Sequence, residues 1–328
     1  MLMRALVLSD GGRLSVDDRP VPEAVADQVL VRVHGAGVNR ADLLQRAGRY
    51  PPPPGAPPDI PGLEFAGVVE AAGPAVFGLQ PGDAVMGIVA GGAHAEYLVT
   101  PESQCARVPE SLDLVVAGGV PEAFITAHDA MCTQADLHPG ARVLVHAVAS
   151  GVGTAALQLA CAMGATVVGT SRTKEKLDRA VELGLHQAVA VDRDFDPADV
   201  ARRITEGGGP ADVVIDLVGG PYLAVDVAAA APKGRIVIVG LIAGARAELD
   251  MGMLLGKRLT LRGTVLRSRP AHEKAAATHA FAGQVVPLLA ACTVAPVVEE
   301  VVPLGEAERA YDLLAADATF GKVILDLR

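Results

Sequence analysis

Gly151, Gly153 and Ala156 stand at the spacing G-x-G-x-x-A, after the apolar run Val143-Leu144-Val145 and before Leu157-Gln158-Leu159-Ala160. A β-branched run bounded by turn signals reads as a buried parallel strand, and the residues after the glycines are good helix formers. In that strand–turn–helix setting the spacing has a chemical meaning. The first glycine permits the tight turn, and the second lets backbone N–H groups approach a pyrophosphate. The small third residue lets the helix pack on the strand. The chemistry expected is dinucleotide binding. Ala147 to Thr170 carries no charge and is long enough to span a bilayer, but its glycines, Ser150 and Gln158 divide it into turn, helix and strand.

The residues that follow bear on which dinucleotide. An NAD-type fold places Asp or Glu about 20 residues beyond the glycines, accepting from the ribose hydroxyls. Here the next strand ends in Gly169-Thr170-Ser171, followed by Arg172, Lys174 and Lys176. Cations in the first turn of a helix oppose its macrodipole, a penalty that a bound 2′-phosphate would reverse. NADPH is therefore the expected cofactor.

Other catalysts find little support. The eight histidines include no HExxH and no i,i+4 pair suited to zinc. There is no G-x-S-x-G, and Cys132 and Cys161 fall in helical stretches without an evident base. The four cysteines are widely spaced with no C-x-x-C, which reads as inert thiols in a reducing compartment. A bound nicotinamide needs mainly positioning and a shaped pocket.

The elements that must position these residues fall into two groups. Met3–Leu8, Val29–Val33, Phe65–Ala71, Ala84–Val89 and Glu96–Val99 read as short strands, with the proline-rich stretch from Arg49 to Pro61 as a stiff loop among them. From Pro121 the pattern turns helical, and strand candidates at 166–170, 188–191, 212–217, 235–239 and 259–264 then alternate with helices such as 174–183 and 198–205. With the fingerprint strand these make a six-stranded doubly wound α/β sheet. A helix at 271–292, a strand at 297–302, a helix at 305–316 and a strand at 322–327 follow, and should return to the first group. The expected division is a discontinuous β-rich domain of residues 1–122 and 267–328 and a Rossmann domain of residues 123–266. A length of 328 residues suits two domains, and a net charge of −10 argues against a nucleic-acid surface. No targeting segment is evident, which reads as cytoplasmic.

The run Gly37-Val38-Asn39-Arg40-Ala41-Asp42, then Gly48-Arg49-Tyr50, Pro61-Gly62-Leu63-Glu64-Phe65-Ala66-Gly67 and Pro121-Glu122-Ala123-Phe124-Ile125-Thr126-Ala127 resembles zinc-independent quinone oxidoreductases. Asp216-Leu217-Val218-Gly219-Gly220, Leu266-Arg267-Ser268-Arg269 and Gly321-Lys322-Val323 extend the likeness over essentially the whole chain. These enzymes belong to the medium-chain dehydrogenase/reductase superfamily, and the chain is most like their tumour-suppressor-inducible branch. The resemblance implies a GroES-like catalytic domain beside the Rossmann domain. It implies no zinc, because Asn39 and Leu63 stand where zinc alcohol dehydrogenases carry a cysteine and a histidine ligand, and the structural-zinc lobe has no counterpart.

The resemblance also distributes roles. Gly151, Val152 and Gly153 would contact the pyrophosphate, and Ser171, Lys176 and Arg172 the 2′-phosphate. Thr126, Val218, Leu241 and Leu266 would line the cofactor's path, with Arg267 and Lys322 closing over its phosphates and ribose. Asn39 and Tyr50 would face the substrate, Tyr50 as a weak proton donor. Relatives carry a tyrosine where this chain reads Val191-Asp192-Arg193; Arg193 could compensate, while Asp192 would repel a phosphate. The activity implied is NADPH-dependent reduction of a quinone, by one- or two-electron steps, in a cleft between the domains of a homodimer. A 2-enoyl thioester or enone reductase, and an NADPH-binding sensor or structural protein with little turnover, are the alternatives.

Overall fold

The computed structural model describes Met1 to Arg328, which divide into two compact units: Met1–Ile125 with Leu266–Arg328, and Thr126–Val265. The first part of unit one contains β1 (Leu2–Ser9), β2 (Arg13–Pro20), β3 (Gln28–Val38), α1 (Arg40–Arg46), β4 (Glu64–Ala72), β5 (Ala84–Ile88), β6 (Tyr97–Pro101), β7 (Cys105–Arg107), α2 (Leu114–Ala117) and the start of α3 (Pro121–His128). Unit two holds β8 (Arg142–Val145), α4 (Gly151–Ala162), β9 (Thr166–Ser171), α5 (Lys174–Glu182), β10 (Gln187–Ala190), α6 (Pro197–Thr205), β11 (Ala211–Asp216), α7 (Tyr222–Ala229), β12 (Ala230–Ile238), α8 (Met251–Lys257) and β13 (Thr260–Gly263). The chain then adds α9 (Ala271–Gln284), α10 (Val286–Ala290), β14 (Val298–Pro303), α11 (Ala307–Ala315) and β15 (Lys322–Asp326) to unit one.

Unit one is built on a seven-stranded sheet in the order β14-β15-β3-β4-β5-β7, with β6 also paired to β3. Its long strand β3 alternates, so Val29, Val31 and Val33 face a core shared with Phe65, Val85, Tyr311, Val323 and Leu325. The antiparallel register of Val323 with Val38 and Ile324 with Gly37 returns the C-terminal strand to the first sheet, as the sequence suggests. Strands β1 and β2 form a separate hairpin. The sequence reading omits β2, because Asp17, Asp18 and Arg19 dilute an apolar face in a strand that stays largely exposed.

In unit two the order β10-β9-β8-β11-β12-β13 is parallel throughout. The chain moves outward one way from β8 to β10 and the other way from β11 to β13, so the topology reverses between β8 and β11. Ligands of doubly wound sheets bind at such a reversal, beyond the carboxyl ends of the strands. Val143, Leu144 and Val145 are fully buried, as expected of a central parallel strand covered on both faces.

Two helices differ from expectation. The helical run from Pro121 is α-helical only to His128 and then widens into a π-helical segment, Asp129–Gln134. The single helix expected at 271–292 is two, with Pro287 near the start of the second. Pro287 has no N–H to donate to the preceding turn, and its ring crowds that carbonyl, so the ladder breaks there.

Candidate functional site

The turn from β8 into α4 is as tight as its glycines suggest. Ala147 takes a left-handed conformation (φ 50°), and Ser150 caps α4 by accepting from the Gly153 N–H at 3.1 Å. A Cβ on Gly153 would lie 2.4 Å from the Ala147 carbonyl oxygen and 2.7 Å from Val148 backbone atoms. Only glycine lets the helix start this close to the strand. With Gly153 capped, the N–H groups of Gly151 and Val152 have no acceptor within the helix and lie at its positive end.

The other turns at this edge belong to the same parallel sheet. Strand β9 ends at Ser171, followed by exposed Arg172, and α5 begins with Lys174, Glu175 and half-buried Lys176. Lys174 pairs with Asp178 at 2.7 Å. After β11, Asp216 Oδ1 accepts from the Val218 and Gly219 N–H groups at 2.8 and 2.9 Å, shaping a turn through two left-handed glycines, Gly219 and Gly220. Asp216 is thus a strand-end residue bonded to backbone, as its position suggests. The Ala243 N–H donates to the Val218 carbonyl at 2.8 Å, while Leu241 and Ile242 remain exposed. Gly151–Gly153, Ser171, Val218 and Leu241 therefore share one edge of the sheet. Exposed Arg193 follows β10, two strands from β8, roughly 10 Å at ordinary strand spacing. Thr126 is buried within α3.

Unit one gathers a second set. Lys322, nearly buried, donates to Glu64 Oε1 at 2.5 Å and to Asn39 Oδ1 at 2.6 Å. Asn39 in turn donates through Nδ2 to the same Glu64 oxygen at 2.9 Å. The other Glu64 oxygen accepts from the Glu122 backbone N–H at 2.8 Å. Asp42, at the third position of α1, ties this ring to the loops by accepting from the Asn39 and Gly62 N–H groups at 2.8 and 3.0 Å. Beside it, Arg267 donates to the Ala90 and Tyr50 carbonyls at 2.8 and 3.1 Å and to Gln45 Oε1 at 2.5 Å. Its guanidinium lies 5.0 Å from the centre of the Tyr50 ring, within cation–π range. Asn39, Tyr50, Arg267 and Lys322 are thus brought together. Leu266 and Leu63 are buried in the same unit.

The electrostatics of this cluster are unusual. Burial, then the neighbouring Glu64 carboxylate, pushes the Glu122 acid up to about 8, so it is largely neutral near pH 7. Burial also raises the Tyr50 phenol, and Lys274, with little surface left, has its ammonium pulled below the ordinary lysine value, the Glu122 carboxylate opposing. A pH dependence follows. The folded Glu122 value lies above the unfolded one, so its stabilising contribution is complete below about pH 4.5 and is lost as pH rises toward 8. Glu122→Gln should therefore gain stability relative to the parent protein as pH rises from 5 to 8, measured as the difference in Tm. A constant difference would show that Glu122 ionises freely.

No group of three or more His, Cys, Asp or Glu side chains is placed to hold a metal ion, and no helix is long and apolar enough to cross a membrane.

Comparison with known proteins matches this architecture. Residues 25–110 fit the alcohol dehydrogenase GroES-like domain, and residues 151–282 the zinc-binding dehydrogenase family. A quinone oxidoreductase of Lama guanicoe is 30% identical over 334 residues, covering 100% of this chain and 98% of that protein. The chain belongs to the medium-chain dehydrogenase/reductase superfamily of oxidoreductases. The pikromycin polyketide synthase component PikAII of Streptomyces venezuelae is 39% identical over 214 residues, which is 65% of this chain and 6% of that much longer protein. Among solved structures, a mycobacterial protein complexed with NADPH superposes with a TM-score of 0.86 at 28% identity, covering 99% of this chain and 100% of that one. Around Asn39, the charge facing Glu64 is the Lys322 ammonium.

Sequence reasoning overlooked Glu122, Lys274 and the pairing of Glu64 with Lys322 as parts of the site. The available signal was weak. Glu64 opens the otherwise apolar strand Phe65–Val69, and a charge at that position needs a partner if the strand is buried.

Proposed function

We propose that the protein is an NADPH-dependent, zinc-independent quinone reductase. The reading is carried by the edge where the sheet reverses: a glycine-cradled helix start after β8, beside a β9 end with Arg172 and Lys176 and no carboxylate. These residues fit a phosphorylated dinucleotide. The Gly151 and Val152 N–H groups would hold the pyrophosphate, and Ser171, Arg172 and Lys176 the 2′-phosphate. Val218 and Leu241 would line the remainder, and Arg193 would add positive charge offset by Asp192. When bound, the reduced nicotinamide supplies a hydride equivalent from its C4. The chain's own residues orient the partners and manage protons. Tyr50, a phenol that is neutral near pH 7 and is held more firmly so by burial, can donate a proton to an acceptor oxygen, and Arg267 fixes its ring. Asn39 is held in one orientation by Glu64 and Lys322 and offers a rigid wall to the substrate. With an ammonium neutralising Glu64, and leucine at position 63, this wall needs no metal.

Support for a quinone as acceptor comes from the quinone oxidoreductase relative. The polyketide synthase relative favours a second reading, reduction of an enone or 2-enoyl thioester, with Tyr50 protonating the α-carbon. The deciding experiment follows NADPH and NADH oxidation with a bulky ortho-quinone and a trans-2-enoyl thioester. Higher kcat/KM for the quinone with NADPH is the expected result. A faster thioester would replace the reading by the second, equal use of NADH would remove the 2′-phosphate assignment, and binding without turnover would point to a sensor.

The exposed edge strand β13, flanked by exposed Leu255 and Val265, favours a homodimer. Light scattering that gives a monomer mass at micromolar concentration would refute it.

A further inference from the structure

Four buried polar side chains of unit two play no part in the contacts proposed above. His146 lies between Thr170 Oγ1, 2.8 Å from Nδ1, and Asp226 Oδ1, 2.8 Å from Nε2. The Asp226 and Asp216 carboxyl groups share this buried core, and Asp226 acts electrostatically on Asp216. Their Oδ2 atoms are buried without a partner, although both carboxyl groups are fully removed from solvent. Two ionised carboxylates cannot satisfy each other, since each only accepts. A single proton between them resolves the whole arrangement. The Thr170 O–H donates to His146 Nδ1, and His146 Nε2–H to Asp226 Oδ1. The Asp226 acid O–H then donates to Asp216 Oδ2, and the Val218 and Gly219 N–H groups to Asp216 Oδ1. Every polar atom is then paired.

The members are placed tellingly along the chain. His146 immediately precedes the turn that leads to Gly151–Gly153, and Thr170 immediately precedes Ser171. Asp216 holds the turn at Val218. Asp226 comes from α7 and joins the first two to the third. With one proton shared between Asp226 and Asp216, three separate turns of one sheet edge would rest on one hydrogen-bonded chain.

We infer that Thr170, His146, Asp226 and Asp216 form a buried proton-sharing chain that positions the turns after β8, β9 and β11, and that dinucleotide affinity depends on its shared proton. This rests on the dinucleotide reading only for its second half. These are positioning residues: none is proposed to touch the ligand. Burial pushes His146 down to about 4, keeping the imidazole neutral. Burial, then Asp226, raises Asp216 to about 6, and burial holds Asp226 well above the usual carboxylate range. The other titratable groups facing the chain are Tyr222 of α7, whose ring packs edge-on 4.7 Å from His146, and Arg172 acting on that tyrosine. The sign follows from Asp226. Its folded value lies above the unfolded one, so its contribution is complete at low pH and fades as pH rises through the folded value. Loss of the proton leaves two unscreened charges, which must separate and release the Val218 turn.

The test uses the full-length protein without cofactor, following amide hydrogen exchange at Val218 and Gly219 from pH 7 to 10, with NADPH titrations over the same range. Asp226→Asn copies the protonated acid, donating through Nδ2 to Asp216 and accepting from His146 through Oδ1. In the parent protein, protection beyond the intrinsic pH effect should fall at least about tenfold toward alkaline pH, and the NADPH Kd should rise by a similar factor. In Asp226→Asn both profiles should be flat, with affinity at pH 7 recovered relative to Asp226→Leu. Identical pH profiles for the parent and Asn proteins would overturn the inference, and this comparison stands even if Asp226→Leu does not fold. Failure of the parent protein to bind NADPH would overturn the cofactor reading, while the exchange profile still decides the proton-sharing chain.

Discussion

Lys322→Met is expected to destabilise the protein by about 3–5 kcal/mol, the cost of leaving a buried charge without its partner. The Glu64 side chain is fully buried, and its principal counter-charge is Lys322 Nζ at 2.5 Å, which also donates to Asn39 Oδ1 and, at 3.3 Å, to the Val38 carbonyl. Methionine matches the stem of lysine in length but donates nothing, so Glu64 would have to protonate or draw water into the core. There is little room for water. A Cβ on Gly37 would already lie 2.1 Å from Glu64 Oε1 and 3.0 Å from Lys322 Nζ, so the pair sits against bare backbone. The pair itself need not be strongly stabilising, since desolvation offsets most of its attraction. Glu64→Gln combined with Lys322→Met should therefore recover most of the loss. Equilibrium urea unfolding of the single and double variants measures both numbers. A cost under about 1 kcal/mol for Lys322→Met would mean that the pair is hydrated rather than buried.

Gly153→Ala should lower stability by about 2 kcal/mol and weaken NADPH binding at least about tenfold, because one methyl group meets backbone that cannot rotate away. Its Cβ would lie 2.4 Å from the Ala147 carbonyl oxygen and 2.7 Å from the Val148 Cα and carbonyl carbon. Ala147 already holds a left-handed conformation, so the turn has no slack, and α4 must move outward with the Gly151 and Val152 N–H groups. Gly256→Ala is the control. That glycine lies inside α8 with nothing within 4 Å of the added Cβ, so the change should be neutral or stabilising by up to about 1 kcal/mol. Urea unfolding and fluorescence titration with NADPH report the two effects separately. Normal affinity in Gly153→Ala would mean that the helix start does not hold the dinucleotide.

The strand–turn–helix around Gly151, the parallel strands with helices between them, and the return of the C-terminal strand to the first sheet were all legible in the sequence. Each rests on spacing and side-chain type within a short window: alternation in β3, β-branched runs in β8 and β11, glycines where a turn demands them. The breaks were less legible. Pro287 was visible, yet the helical pattern on either side of it read as continuous, and the charged face of β2 hid a strand that pairs only locally.

What the sequence by itself determined is the architecture: a doubly wound sheet with glycines after β8 and no acid at the end of β9, joined in sequence to a β-rich unit. The tertiary structure alone decided which charges are neutralised and by what. Lys322 meets Glu64 across 258 positions, His146 meets Asp226 across 80, and Arg267 meets Gln45 across 222. No local pattern encodes those encounters. A buried charge is tolerable only beside its partner, and that proximity exists only after the sheets have assembled and expelled water from around it.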